Sequence, residues 1–297
     1  MLALTARFLW LSDLAAHFPV QYAALALVLF VLFLTLRSPG WAALALAIAV
    51  FNAMNAAPGL MTHPVAVPKP SADSAVPAPA RFRVISINVL YSNHKYGGVA
   101  DAIRAAQPDA VVLVEMNARW RKSLTGLEHD FPYRYQTVGP DRRGIDMWSR
   151  QPLKDVSVLP IGTGEPSIQA TLMAEGRPLR LFAIHLSWPM TPSAAAQRNK
   201  ELVLLAEQAS ATTLPLVAVG DLNLSPFSPY FRQLLADGKL RSAAEGFGWQ
   251  PTWPSFLPPA GIQIDHALVS AGVGIRDFRR GLHDGSDHRP IIVDVTL

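Results

Sequence analysis

Residues 14–36 carry no Lys, Arg, Asp or Glu, and within them residues 22–36, YAALALVLFVLFLTL, show no polar face. A helix that is apolar all round is either buried in protein or crosses a bilayer, which takes about 20 such residues. Residues 37–40, Arg-Ser-Pro-Gly, make a polar break, and a second apolar run, WAALALAIAVFNAMNAA, covers residues 41–57. Pro and Gly in so short a break signal a tight turn. The pair is therefore expected to form a transmembrane helical hairpin, with helices over about 14–36 and 40–57. A signal peptide would begin with a basic stretch and a short apolar one. Here the first run starts late, is long, and is followed by another. Residues 1–12 are apolar apart from Arg7 and read either as an interfacial segment or as part of a further span.

Residues 58–80 are rich in Pro, Ala and Ser. Such a stretch has little to bury and reads as a semi-rigid spacer. From Arg81 the pattern changes to short apolar runs typical of strands, such as RFRVISIN, AVVLVE, LRLFAIH and LPLVAVGD. Helical spacing covers residues 98–107 and 193–210. Strands with interspersed helices point to an α/β domain over residues 81–297. The whole chain has 26 basic and 22 acidic residues, of which residues 1–80 hold three and two. The remaining 23 and 20 leave a net +3, too small an excess to announce tight nonspecific nucleic-acid binding. There is no cysteine, which excludes disulfides, zinc–thiolate sites and cysteine nucleophiles.

Polar residues collect where the apolar runs end: Asn88, Glu115, His185, then Asp221 and Asn223 in GDLN, Asp265 and His266 in IDH, and Asp287 and His288 in GSDHRP. Strand ends and the loops after them are where α/β domains place ligands. Carboxylates and a carboxamide oxygen suit hard cations such as Mg²⁺ or Mn²⁺, which stabilise charge on a phosphoryl oxygen. Imidazoles move protons near neutral pH, and a carboxylate behind an imidazole fixes its tautomer. The set therefore suggests phosphoester hydrolysis. Singly, each residue has a plainer reading: GDLN as a turn, Glu115 as a surface charge, His185 and His266 as structural histidines, Ser286-Asp287 as a cap, Asp265 beside His266 as a local ion pair. Asp146 is expected to face solvent, and Arg142, Arg143 and Arg198 to be solvated unless they reach a phosphate.

Taken in order, ISIN, VLVEM, IDMWSRQP, FAIHL, VAVGDLN, PTWP, IDHALVS and GSDHRPIIVDV resemble the endonuclease/exonuclease/phosphatase superfamily over essentially all of residues 81–297. With the hydrophobic hairpin ahead of it, the chain looks like a bacterial membrane-attached subgroup. The resemblance implies a four-layered α/β sandwich, two packed mixed sheets flanked by helices, with the site at one edge. It implies a metal held by Glu115 with Asn88 nearby and Asp287 helping. Asp221 would orient or deprotonate the attacking water or share the metal, and Asn223 would hold a phosphate oxygen. His288 would contact the scissile phosphate as acid or base, oriented by Asp265, while His185 assists the leaving group.

The expected activity is divalent-metal-dependent hydrolysis of a phosphodiester or phosphomonoester. The substrate is expected to be nucleic acid, or a phospholipid head group brought close by the tether. The membrane is the other expected partner, and no protein partner is implied. The alternative is a non-catalytic membrane-tethered binding module that keeps the fold. The spacer, together with Arg37 in the hairpin loop, favours a catalytic domain on the periplasmic side of the inner membrane.

Overall fold

The computed structural model describes residues 9–60, 79–138, 143–162 and 166–297. Most of the spacer, residues 1–8 and Arg142 lie outside the described residues.

Among the described residues, three helices precede the first strand: α1 (Trp10–Ala15), α2 (Pro19–Thr35) and α3 (Pro39–Leu60). The break between α2 and α3 falls at Arg37, whose φ is +54°, and the two helices pack against each other as an antiparallel pair. The span expected over residues 14–36 is shorter than the sequence suggests. Pro19 starts α2, and His17 and Asp13 ahead of it are buried. By length and composition one helix, over Pro39–Ala57, is apolar enough to cross a membrane; the 17 residues of Pro19–Thr35 fall short.

The domain that follows holds twelve described strands: β1 (Arg81–Asn88), β2 (Ala110–Met116), β3 (Tyr133–Gln136), β4 (Gly144–Ser149), β5 (Lys154–Leu159), β6 (Ser167–Ala174), β7 (Arg177–His185), β8 (Leu216–Asp221), β9 (Leu240–Ser242), β10 (Asp265–Ser270), β11 (Gly274–Arg280) and β12 (Ile291–Thr296). They form two six-stranded sheets, ordered β11-β12-β1-β2-β4-β3 and β5-β6-β7-β8-β10-β9. In each sheet the third and fourth strands are parallel and every other pairing is antiparallel. Each parallel pair needs a crossover, supplied by α4 (Tyr96–Ala106) between β1 and β2 and by α6 (Pro192–Ala211) between β7 and β8. The short α5 (Ala118–Ser123) follows β2, and α7 (Pro229–Asp237) follows β8.

The central strands are apolar on both faces because both faces are covered. In β2, Val112 and Val114 point between the sheets, while Val111 and Leu113 pack under α4. In β8, Val217 and Val219 point between the sheets, and Ala218 packs under α6 and α7. The result is four layers: helix, sheet, sheet, helix.

The strand period of two places the polar residues as well. Asn88 continues the inward series from Val84, His185 that of Leu181 and Ala183, and Asp221 that of Val217 and Val219. Asp265 shares the face of Ala267 and Val269. All four therefore point between the sheets at one edge of the sandwich.

Two expectations are corrected in the body of the domain. Asp146 does not face solvent: it is fully buried in β4, and its carboxylate takes a 2.7 Å ion pair from Arg121. Arg198 is not a solvated base. It lies buried on α6, with a guanidinium nitrogen 2.5 Å from Asp13 of α1. In both cases a charge hidden in the interior has brought its partner from a distant stretch, which a local reading of pattern does not reveal.

Candidate active site

Asp221, the last residue of β8, has Cα ladder partners on both sides: His185 on β7 and Asp265 on β10. Three ionisable residues thus stand abreast on one face, where neighbouring strands are about 4.8 Å apart. Gly220 makes this row possible. Its φ of +144° is outside the range of other residues, and a Cβ there would collide with the Ile184 carbonyl.

His288 arrives from the opposite sheet, on the loop between β11 and β12. Its Nδ1 lies 2.9 Å from Asp265 Oδ2, and its Nε2 lies 3.8 Å from Asp221 Oδ2. The loop is pinned by Ser286, whose hydroxyl donates to the Asn88 carbonyl at 2.7 Å and accepts the His288 amide at 3.1 Å. Asn88 ties the two sheets together: its amide nitrogen donates to Glu115 Oε1 at 3.2 Å and to Asp221 Oδ2 at 3.1 Å, and lies 3.5 Å from His288 Nε2. Glu115 sits at a bulge in β2 with φ +64°, and its Oε2 accepts from the Tyr91 amide at 3.1 Å.

Asn223 also has positive φ, +49°; its backbone N–H donates to Asp221 Oδ1 at 2.8 Å and its side-chain amide to the Leu186 carbonyl at 2.9 Å. Thr252 steadies Asp265 by accepting its amide at 3.1 Å. His266 belongs to the scaffold, with Nε2 2.8 Å from the Leu224 carbonyl.

Burial and mutual charge set the protonation. Burial pulls His288 down, but the Asp265 and Asp221 carboxylates outweigh it and push it up to about 10. Asp221 rises to about 7, first through burial and then through repulsion from Asp265. His185 falls to about 4 because it is buried, an effect Glu115 only partly offsets. At neutral pH the site therefore holds a cationic His288 and a neutral His185, whose Nδ1 has no hydrogen-bond partner.

Asp221, Asp265 and His288 place one ligand atom each within 4.8 Å of one another, close enough for a cation. Within this cluster the His288 Nδ1 and one Asp265 oxygen are already engaged with each other at 2.9 Å. Glu115 and Asn88 offer hard oxygens at the ends of the adjacent parallel strands β1 and β2. Asp287 is held by the Trp253 indole N–H on Oδ2 at 3.1 Å, while its buried Oδ1 has no partner. A buried carboxylate oxygen without a partner fits a hard divalent ion.

Every site residue expected from the sequence is placed at this edge or in the loops that border it. The sequence reading missed Thr252, which positions Asp265, and the Asp13–Arg198 pair, which reaches the site through Asn223: Arg198 Nη1 donates to the Asn223 carbonyl at 3.1 Å. Ser286, read from the sequence as a cap together with Asp287, accepts the His288 amide. Asp13 gives no local signal.

Comparison with known proteins agrees with this architecture. A solved endonuclease/exonuclease/phosphatase from Beutenbergia cavernae DSM 12333 is 20% identical, with a TM-score of 0.58 over 73% of this chain and 72% of that one. D. rerio TDP2, solved in complex with a single-strand DNA product, is 17% identical, with a TM-score of 0.60 over 73% of this chain and 99% of that one. A family protein from Bacteroides thetaiotaomicron is 17% identical, with a TM-score of 0.59 over 73% and 98%. None of the curated proteins matches the sequence. Residues 85–288, more than half of the chain, match the model of the endonuclease/exonuclease/phosphatase family, whose members are generally hydrolases of phosphoester bonds and generally use divalent metal ions. The chain belongs to that family.

Proposed function

We propose that this protein is a divalent-metal-dependent phosphodiesterase anchored to a membrane by α2 and α3. The observation that carries the reading is the buried arrangement of Asp265, His288, Asp221 and Asn88 at the sandwich edge. Asp265 holds Nδ1 of His288, so that Nε2–H is the free donor. A cationic donor in a buried site is suited to a phosphoryl oxygen, whose charge grows as the nucleophile adds. Asp221, raised to about 7, can take a proton from an attacking water near neutral pH. The Asn223 amide fixes one Asp221 oxygen, and the second N–H of its side chain is left for a phosphate oxygen. Neutral His185 can share a proton with the leaving oxygen. Mg²⁺ or Mn²⁺ held by Glu115 and Asn88, with Asp287 assisting, would supply charge neutralisation of the phosphoryl group.

Two substrate classes remain in contention, each with its own support. The TDP2 relative was solved with single-strand DNA product, which favours nucleic acid. The apolar helix Pro39–Ala57 favours a phospholipid head group or another phosphoester at the membrane, and the spacer together with Arg37 in the hairpin loop favours the periplasmic side. Purified full-length protein with Mg²⁺ or Mn²⁺ should hydrolyse a soluble chromogenic phosphodiester and one of plasmid DNA, single-stranded DNA or mixed phospholipid vesicles. Metal-dependent stabilisation with no turnover of any of these would instead make the chain a non-catalytic binding module.

A further inference from the structure

The root of the helical hairpin is seated against the same two loops that supply the site. His17, in the turn between α1 and α2, lies with Nδ1 2.7 Å from the Ser225 hydroxyl and accepts the Ser225 amide at 3.0 Å. Asp13 of α1 accepts from the Ser228 hydroxyl at 2.6 Å and from buried Arg198 at 2.5 Å. Ser225 and Ser228 lie on the loop that continues from Asp221 and Asn223. On the other side Gln21, in the first turn of α2, donates to the Gly261 carbonyl at 2.8 Å. Gly261 closes the loop that leads into Asp265. A groove of about 810 Å³ along the hairpin ends on Phe227 and Arg232 of the domain.

Where the domain stops covering the hairpin, the hairpin becomes apolar and exposed: Pro19 is buried, whereas Leu25, Leu27 and Val28 are 59%, 52% and 64% exposed. That change marks the height of the bilayer surface if the hairpin is inserted. Large apolar side chains also stand exposed on the segments that adjoin the root. Leu9 and Leu11, at α1, are 59% and 62% exposed. Phe256 and Leu257, in the loop held by Gln21, are 76% and 50% exposed and are followed by Pro258 and Pro259. Exposed aromatic and aliphatic side chains gathered in one place mark an interaction surface.

We propose that the cleft-bearing edge of the domain lies directly on the bilayer, with Leu9, Leu11, Phe256 and Leu257 entering the lipid interface around the hairpin root. The inference rests on the reading of the hairpin as a membrane anchor. The partner is the lipid leaflet that receives the hairpin. In this arrangement the loops of Asp221 and Asp265 stand at head-group height, and the cleft meets phosphoesters presented by the membrane. The opposite end of the sandwich, at the β6–β7 turn, stands away from the lipid. β7 runs from there to His185, nine residues and roughly 30 Å.

The chain has no cysteine, so single-site labelling needs no background removal. Full-length Leu27→Cys, Phe256→Cys and Glu175→Cys proteins carry an environment-sensitive fluorophore and are reconstituted into phosphatidylethanolamine/phosphatidylglycerol vesicles containing spin-labelled lipid. All three positions are exposed, so the substitutions leave the packing intact. The expected result is strong quenching at 27, quenching at 256 at least threefold above that at 175, and a blue shift at 256 absent from 175. Quenching at 27 with 256 indistinguishable from 175 overturns the inference and leaves the anchor standing. No quenching at 27 overturns the anchor, and the inference falls with it.

Discussion

The two sheets of the sandwich follow the same plan and carry different chemistry. Each has an inner parallel pair joined by a crossover helix, β1 and β2 through α4, β7 and β8 through α6. The strand ends correspond: Asn88 with His185, and Glu115 with Asp221. In the first sheet these ends offer only a carboxamide and a carboxylate, and Glu115 stays at the rim beside Arg143 at 3.9 Å. In the second they offer an imidazole and a deeply buried carboxylate whose proton affinity is raised. One half is suited to a cation and the other to protons. The crossing is made by the β11–β12 loop, which belongs to the first sheet yet delivers His288 to Asp265 of the second.

The largest effect expected from this division lies in the proton half. His288→Ala should lower kcat/KM for a phosphodiester by about 10³, in line with the usual worth of a positioned acid or base, and added metal should not restore it. In the cation half, Glu115→Gln should raise the Mg²⁺ concentration for half-maximal rate by at least tenfold, with kcat largely recovered at saturating metal. Chelation should abolish turnover of the unmodified protein reversibly. If His288→Ala were rescued by metal, or Glu115→Gln were not, the two halves would not be divided as described. Steady-state rates across a metal titration measure both.

The next effect tests whether the N-terminal segment belongs to the second half. Asp13→Ala leaves the Arg198 guanidinium buried without its carboxylate, and such a loss costs about 3–5 kcal/mol. For a domain of this size that is a fall in Tm of roughly 6–20 °C. Arg198 also holds the Asn223 carbonyl, so kcat should fall with stability. Thermal melts of full-length Asp13→Ala and Asp13→Asn proteins check this, and an unchanged Tm would detach α1 from the site.

The same contrast decides what could be read from the sequence. Strand-end residues were legible because strand ends have a local signature, an apolar run closing on a polar residue. Asn88, His185 and Asp221 close their strands and Glu115 stands one residue before the end of β2, whereas Asp265 opens β10. The equivalence of the two sheets was not legible, because the sequences of β1–β2 and β7–β8 share only apolar character. Nor were the long-range partners. Asp13 meets Arg198 and Ser228, and Asp146 meets Arg121, through tertiary packing alone. The first apolar run was read too long because its early residues looked like more of the same helix, when the domain in fact buries Asp13 and His17.

The smallest effect concerns the bridging loop itself. Asp284 is a buried residue of that loop, with Oδ1 accepting the Ser286 amide at 3.0 Å and Oδ2 without a partner. Burial pushes its carboxyl up to about 6, more than the Ser286 amide pulls it down. A carboxyl that ionises less readily folded than unfolded contributes stability that is complete below the unfolded value near 4. That contribution is lost as pH rises through about 6. Above that, ionised Asp284 is a net cost of about 2–3 kcal/mol, by linkage over roughly two pH units. Asp284→Asn keeps the acceptor for Ser286 and removes the charge, but it leaves a buried amide donor that takes back part of the gain. The variant should therefore be more stable than the unmodified protein at pH 7.5, by about 1 kcal/mol, and no more stable at pH 4. Denaturant unfolding at the two pH values measures the difference. An equal change at both would mean that the bridge between the sheets is held by packing and not by the charge state of Asp284.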